Sequence, residues 1–275
     1  MPTILRSPLV LIAAAVPLVA AAAVSRPALP PMDTQPSSMP AAVRAELAPN
    51  GRLRAALNYG NFLLVSTRAP EHTGVAPDLA RELARRAGAA VEFVGYANAG
   101  LVADAAKDEA WDVGFIGAEP ARAAYITFTP AYVEIEATYL VPSASPLRTV
   151  ADVDRPGIRV ASSPRAAYTL FLQRSLKAAT VTEVPGIEPT ADWFARSGYD
   201  AAANLSPRLV DDVKKNAGVR MIDGRFTAVQ QSMAVRKERT AAAAYLVAFA
   251  DEIKRSGLLQ SLIDKHHANG LLVAR

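Results

Sequence analysis

From Gly51 onward, short apolar runs alternate with stretches whose apolar residues recur at helical spacing. Residues 53–57 read as a strand that ends at the turn-prone Asn58-Tyr59-Gly60-Asn61. Leu79, Leu83, Ala84 and Ala87 share one helical face. Pro77 suits the first turn and Gly88 the C-cap, so a helix is expected over 77–87. A strand at 91–94, a helix at 101–109 and a strand at 112–116 complete a β-α-β-α-β order, which favours a parallel sheet with helices on its faces. The order then returns: strand 157–161, helix from 165 to about 178, strand 181–184, a short helix 190–196 stopped by Gly198, and strand 199–204. The two copies share layout, not sequence. A strand at 233–235 and helices at 241–254 and 258–266 follow, broken at Ser256-Gly257, with Lys254 and Arg255 where cations favour a helix C-terminus.

Two such units closed by C-terminal helices predict an α/β fold of two lobes joined by a hinge, with a cleft between them. Lobe 1 is expected over 51–133, returning for 228–275, and lobe 2 over 134–227. Ligands in open α/β sheets sit beyond the carboxyl ends of the strands. The loops after Leu57, Ile116, Ala161 and Asn204 are therefore where a ligand is expected.

The N-terminus changes the picture next. Arg6 precedes an apolar run from Leu9 to Ala23 with small residues such as Ala21 and Ala23, the layout of a signal peptide, taken as 1–28. The run is short for a membrane span, which wants about 20 apolar residues, although an uncleaved anchor is the alternative. Either way the body is expected to be exported to the periplasm. Residues 29–50 hold several prolines and read as a linker.

Composition mostly excludes. There are no cysteines, which removes disulfides, thiolate nucleophiles, Cys-ligated zinc and a lipidated-cysteine anchor. The 30 basic and 26 acidic side chains are interspersed, with no basic stripe and no stacking aromatics beside one, so no nucleic-acid partner is expected. His266 and His267 are adjacent, pointing about 100° apart on a helix, and His72 is far away in a loop, so no metal site is expected. No nucleophile elbow, phosphate-binding loop or dinucleotide fingerprint appears, and no cofactor is expected. Trp111 and Trp193 are assigned to the core.

Several segments are familiar together: Gly51-Arg52-Leu53-Arg54, Gly74-Val75-Ala76-Pro77-Asp78-Leu79-Ala80, Trp111-Asp112-Val113-Gly114 and the run 122–132. Val150-Ala151-Asp152-Val153, Gly157-Ile158-Arg159-Val160, Gly198-Tyr199-Asp200-Ala201 and Ala234-Val235-Arg236-Lys237 continue the series. In this order and spacing the chain, from Gly51 to Lys265, resembles the family 3 extracellular solute-binding proteins, the type II periplasmic receptors of polar amino-acid ABC importers. The resemblance implies a non-enzymatic receptor, acting as a monomer, that captures a small carboxylate-bearing ligand and delivers it to a membrane permease.

It also implies a site. Arg122 stands six residues before Phe128, with Thr129 and Tyr132 following, where the family's arginine clamps the ligand carboxylate. A guanidinium suits that task, since it forms two parallel charge-assisted bonds; an ion pair with Glu119 is the bland alternative. Ser162 and Ser163 lead into Pro164, so Ser163 reads as an N-cap and a place for the same carboxylate, or as an ordinary helix start. Asn58, Asn61 and Phe62 stand where the family covers the ligand, although the asparagines equally suit a turn. Tyr168 suits the core or the cleft wall, and the core is preferred. The acid that receives an α-ammonium in the family is missing: Asn204 and Leu205 stand in its region. Either Glu119 or Glu136 takes over, or the ligand has no ammonium. The alternative activity is a periplasmic dehydratase of small carboxylates on the same scaffold, with Glu119 or Glu136 as the buried acid.

Overall fold

The computed structural model describes residues 39–187 and 189–275. The expected export signal and the first part of the expected linker lie outside the described residues. Two three-stranded parallel units carry the fold. In the first, β1 (Arg52–Asn58) lies between β2 (Ala90–Tyr96) and β3 (Val113–Gly117), with α2 (Val75–Ala87) and α3 (Ala99–Ala105) as crossovers. In the second, β6 (Arg159–Ser162) lies between β7 (Thr180–Glu183) and β8 (Ala201–Leu205), with α4 (Ala167–Ser175) and α5 (Ala191–Ser197).

Two long strands, β5 (Val133–Pro142) and β10 (Thr227–Arg236), join the units. β5 pairs antiparallel with β10 through 133–137 and with β8 through 137–140. The sheet order β2-β1-β3-β10-β5-β8-β6-β7 therefore reads the same from both ends: outer, central, inner and crossing strand. Ala137 is the pivot of the pattern, facing Thr227 on one side and Leu205 on the other. Short strands β4 (Ile126–Phe128), β9 (Val219–Met221) and β11 (Leu272–Val273) pair with β10, β5 and β5 respectively. Each lobe has its own core, Leu53, Phe115, Tyr132, Met233 and Phe249 in one, Tyr139, Val160, Leu172 and Ile222 in the other.

Local chemistry explains most boundaries. α2 buries Val75, Ala76, Leu79, Ala80, Leu83, Ala84 and Ala87, an i, i+4 stripe, and ends where Gly88 takes a left-handed φ of 61°. Four differences from expectation have physical causes. The presumed linker ends early: Ala41–Leu47 is a helix, α1, because Val43 and Leu47 lie four residues apart and bury one face against α7 (Thr240–Arg255). The Glu46 carboxylate also accepts the free Ala242 N–H of α7 at 2.8 Å, capping that helix from a distance. α3 stops at Ala105, shorter than its apolar pattern. α4 begins at Ala167, with Arg165 at φ 54° and Ala166 as N-cap, so Ser163 is not the N-cap. Finally, Ser206–Lys215 forms α6, with Pro207 in its first turn; α8 (Leu258–Lys265) lies near its expected place. None of the described helices is long and apolar enough to cross a membrane.

Two polar anchors hold lobe 1. Asp112, fully buried, accepts from the Arg54 backbone N–H, Arg54 Nε and Nη2, and Arg239 Nη1, all at 2.9–3.0 Å. Its hydrogen bonds raise the Arg54 pKa against the burial that lowers it. Asp78 accepts from Arg81 at 2.9 Å, Lys265 at 2.8 Å and His266 at 2.8 Å, tying α8 to α2. Burial raises the Asp78 pKa, but the hydrogen bonds from Lys265, His266 and Arg81 together hold it below the ordinary value.

Asp112→Ala strands two cations, so urea unfolding should show a loss of about 3–5 kcal/mol. Arg52→Ala, which breaks an exposed pair with Glu92, should change stability by under about 1 kcal/mol. Because the unfolded chain binds a proton at Asp78 before the folded one does, this anchor acts above the ordinary value of 3.8 and fades as pH falls through the lower folded one. Stability measured from pH 7 to 2 should therefore fall less steeply below about pH 4 in Asp78→Asn than in wild type.

Candidate functional site

A cavity of about 400 Å³ lies where the carboxyl ends of β1 and β3 face the starts of α4 and α6. Lobe 1 and the crossing strand supply Asn58, Asn61, Phe62, Gly117, Val229 and Gln231; lobe 2 supplies Ser163, Ala166, Ala167, Tyr168, Asn204 and Arg208. Five of the residues singled out by sequence thus meet on one cavity: Asn58, Asn61, Phe62, Ser163 and Asn204.

Each arrives by local chemistry. Asn58 Oδ1 accepts the Gly60 N–H at 3.0 Å, closing the turn after β1. That turn swings Asn61 inward, where only 4% of it is exposed and its Oδ1 has no partner among the described residues. Gln231, at the crossing of β10, is 3% exposed and its Oε1 is likewise without a partner. Buried amide oxygens of this kind cost free energy unless something bonds them. Opposite them, Tyr168 donates to Asn204 Oδ1 at 3.0 Å, and that oxygen also accepts the Leu205 N–H at 2.8 Å. Burial pushes the Tyr168 hydroxyl up to about 12, while Ser163 and the charge of Arg208 pull the other way. Ser162 is fully buried below the cavity floor, its Oγ 2.6 Å from Thr169 Oγ1.

The lobes touch around this space. Gly117 is a glycine because a Cβ there would sit 3.0 Å from both Ala167 Cβ and Val229 Cγ1. Arg122 is 5% exposed and spans the gap, donating through Nη1 to Gly117 O at 2.5 Å and through Nη2 to Arg165 O at 2.9 Å. It does not line the cavity. Burial lowers its pKa to about 10, Glu119 opposing and Arg165 reinforcing that shift, so it stays charged at neutral pH. Arg165 in turn reaches back to lobe 1: its guanidinium donates to Asp104 at 2.6 and 2.9 Å and to Gly100 O at 3.1 Å. Gly100 has no side chain where one would collide with Arg165 at 2.5 Å.

The two acids weighed for the ammonium, and for the dehydratase alternative, lie elsewhere. Glu119 is ion-paired with Arg174 of α4, a further link between lobes. Glu136 pairs with Arg225 at 2.7 Å and faces a separate depression of about 530 Å³ shared with α6 and the chain end. Neither lines the cavity, and no carboxylate does among the described residues. The described residues also hold no group of three or more His, Asp or Glu side chains placed for a metal. His72 is buried against Tyr59, 2.7 Å from its hydroxyl.

Sequence reasoning missed Arg208 and Gln231. Arg208 is the only charged residue among the described cavity-lining side chains. Ser206-Pro207 directly after a strand is a helix-start signal that pointed to it. Gln231 carries no such signal, because its inward direction depends on which face of β10 the second lobe covers.

The family model of the bacterial extracellular solute-binding proteins, family 3, matches residues 57–269. A mutant of ArgBP from T. maritima superposes with a TM-score of 0.67 at 22% identity, covering 82% of this chain and 100% of that one. An ancestral amino-acid-binding protein, a precursor of cyclohexadienyl dehydratase, gives 0.65 at 21% identity over 81% and 98%. An amino-acid ABC transporter substrate-binding protein from Streptococcus pneumoniae, bound to L-arginine, gives 0.63 at 16% over 80% and 96%. These likenesses establish the two-lobed type II fold. No curated protein matches the chain.

Arg122→Ala leaves the Gly117 and Arg165 carbonyls without their charged donor. Calorimetric melting without added ligand should fall by roughly 5–10 °C, equivalent to about 2–3 kcal/mol; a change under about 1 °C would remove the bridging role.

Proposed function

From the premise that the chain belongs to the family 3 bacterial extracellular solute-binding proteins, we propose that it captures a small carboxylate-bearing solute between its lobes in the periplasm and hands it to a membrane ABC permease. The observation that carries this reading is the cavity itself: about 400 Å³ between the lobes, with the buried Asn61 and Gln231 oxygens lacking any partner among the described residues. A bound solute would supply those partners and remove the cost of leaving them bare.

Recognition and closure are one event on this reading. Asn58, Asn61, Phe62 and Gln231 hold the solute from lobe 1 and the crossing strand, and Ser163, Asn204 and Arg208 from lobe 2. Arg122, Glu119 and Ser162 act around the cavity, fixing its walls. A solute touching both walls stabilises the closed form by its differential affinity for closed over open. On this reading the hinge is the β5–β10 pair, because that pairing links the two parallel units of the sheet. The closed monomer is then the form that the permease reads.

Small molecules released from the purified protein should include a carboxylate, identified by mass spectrometry. Calorimetry with that compound should show affinity reduced on the order of 10- to 100-fold in Asn61→Leu, which loses the amide. Gly117→Val, which wedges the lobes apart at Ala167, should lose at least as much while keeping its far-ultraviolet circular dichroism. Full affinity in both variants would place the solute elsewhere and sink the reading.

A further inference from the structure

The polarity of the cavity goes beyond capture of some carboxylate. Arg208 stands in the first turn of α6 with Nε on Asp212 Oδ1 at 3.1 Å, and its two terminal amino groups have no hydrogen-bond partner among the described residues. The bland role of this side chain is an i, i+4 pair with Asp212, which that Nε contact already satisfies. Neither α4 nor α6 has a side-chain cap at its start, so free N–H groups of both helices open towards the same wall. Arg208, half-exposed and paired with Asp212 through Nε alone, is thus the one charged side chain among the described residues of the lobe 2 wall.

The facing wall is neutral and rich in acceptors. Asn61 and Gln231 bring buried oxygens that lack donors, and a hydroxyl, which both donates and accepts, meets either orientation of these amides. No described residue of this wall balances a buried cation, and the Asn204 oxygen across the cavity already accepts two hydrogen bonds. Arg122, the other cation at hand, is committed to two carbonyls.

We infer that the solute is a carboxylate without an ammonium group, held by Arg208 at its anionic end and by Asn61 and Gln231 through a hydroxyl at its other end. This rests on the solute-binding reading of the same cavity. A hydroxyl satisfies an amide oxygen at no charge cost, whereas an ammonium there would be buried without a counter-ion. Arg208 grips a carboxylate through its fork of terminal amino groups, which a lysine cannot reproduce.

Matched pairs separate the classes: 3-hydroxypropanoate against 3-aminopropanoate, 4-hydroxybutanoate against 4-aminobutanoate, and 5-hydroxypentanoate against 5-aminopentanoate, each titrated calorimetrically into the full-length protein. The hydroxy acid of at least one pair should bind, on the order of 10-fold or more tighter than its amino partner. Arg208→Gln should weaken it on the order of 10- to 100-fold, and Arg208→Lys should restore part of that loss. The melting temperature without solute reports folding of each variant, and Asn61→Leu should narrow the difference within the pair. Amino acids binding more tightly than their hydroxy partners, or affinity unchanged in a folded Arg208→Gln, overturns this inference and leaves the receptor reading standing. No binding by any member, together with no carboxylate released from the purified protein, overturns both.

Discussion

A buried guanidinium between the lobes is the interaction on which the cavity depends. Arg122 holds the carbonyl at the end of β3 to the carbonyl of Arg165 in the other lobe. Arg165 sits at φ 54°, a conformation that costs an ordinary residue free energy. What offsets it is the set of contacts that conformation permits: its side chain on Asp104 and Gly100, its N–H on Glu183 and its carbonyl on Arg122. With Arg174 on Glu119, the lobes meet through three charged side chains before any solute is considered. Arg122 alone of the three is taken out of water, and its charge is tolerated there because both its bonds end on carbonyls.

Such a closure has a consequence for recognition. In a two-lobed receptor, ligand affinity is the intrinsic affinity scaled by the fraction of molecules already in the competent state. Links made by the protein itself raise that fraction, so fewer contacts are asked of the solute. The described walls offer one guanidinium, five amide side chains, a serine and the Tyr168 hydroxyl, with Phe62, Ala166 and Val229 among the apolar residues between them. Small residues at Gly100 and Gly117 matter as much as the polar ones, since each marks a point where the opposite lobe approaches too closely for a side chain.

The palindromic sheet accounts for the division of labour. Each lobe buries its own core and presents the carboxyl ends of its parallel strands to the gap, while the pairing of β10 with β5 joins one parallel unit to the other. Stability is concentrated away from the gap, in Asp112 with Arg54 and Arg239 and in Asp78 with α8. Two buried amide oxygens without a partner among the described residues, those of Asn61 and Gln231, lie on the cavity walls.

Periodicity alone was enough to reveal the repeated β-α-β-α-β order, and strand ends followed by turn residues pointed to Asn58, Asn61, Phe62, Ser163 and Asn204, all of which line the cavity. Those signals are local: alternation, helix stripes, prolines and glycines act within a few residues. The missing acid near Asn204 was legible only through the family resemblance, and it left open whether Glu119 or Glu136 took over or the solute had no ammonium. What remained hidden was every property set by the second lobe's approach. Arg122 looked like a free clamp because nothing local showed that the Arg165 carbonyl would reach it. Glu119 and Glu136 looked available because Arg174 and Arg225 are 55 and 89 residues away along the chain. Residues 41–47 looked like linker because their partner, α7, begins almost two hundred residues later. Arg208 and Gln231 became cavity residues only when α6 and β10 were placed. Ion pairing and burial depend on distance in space, and only the tertiary structure decides that distance.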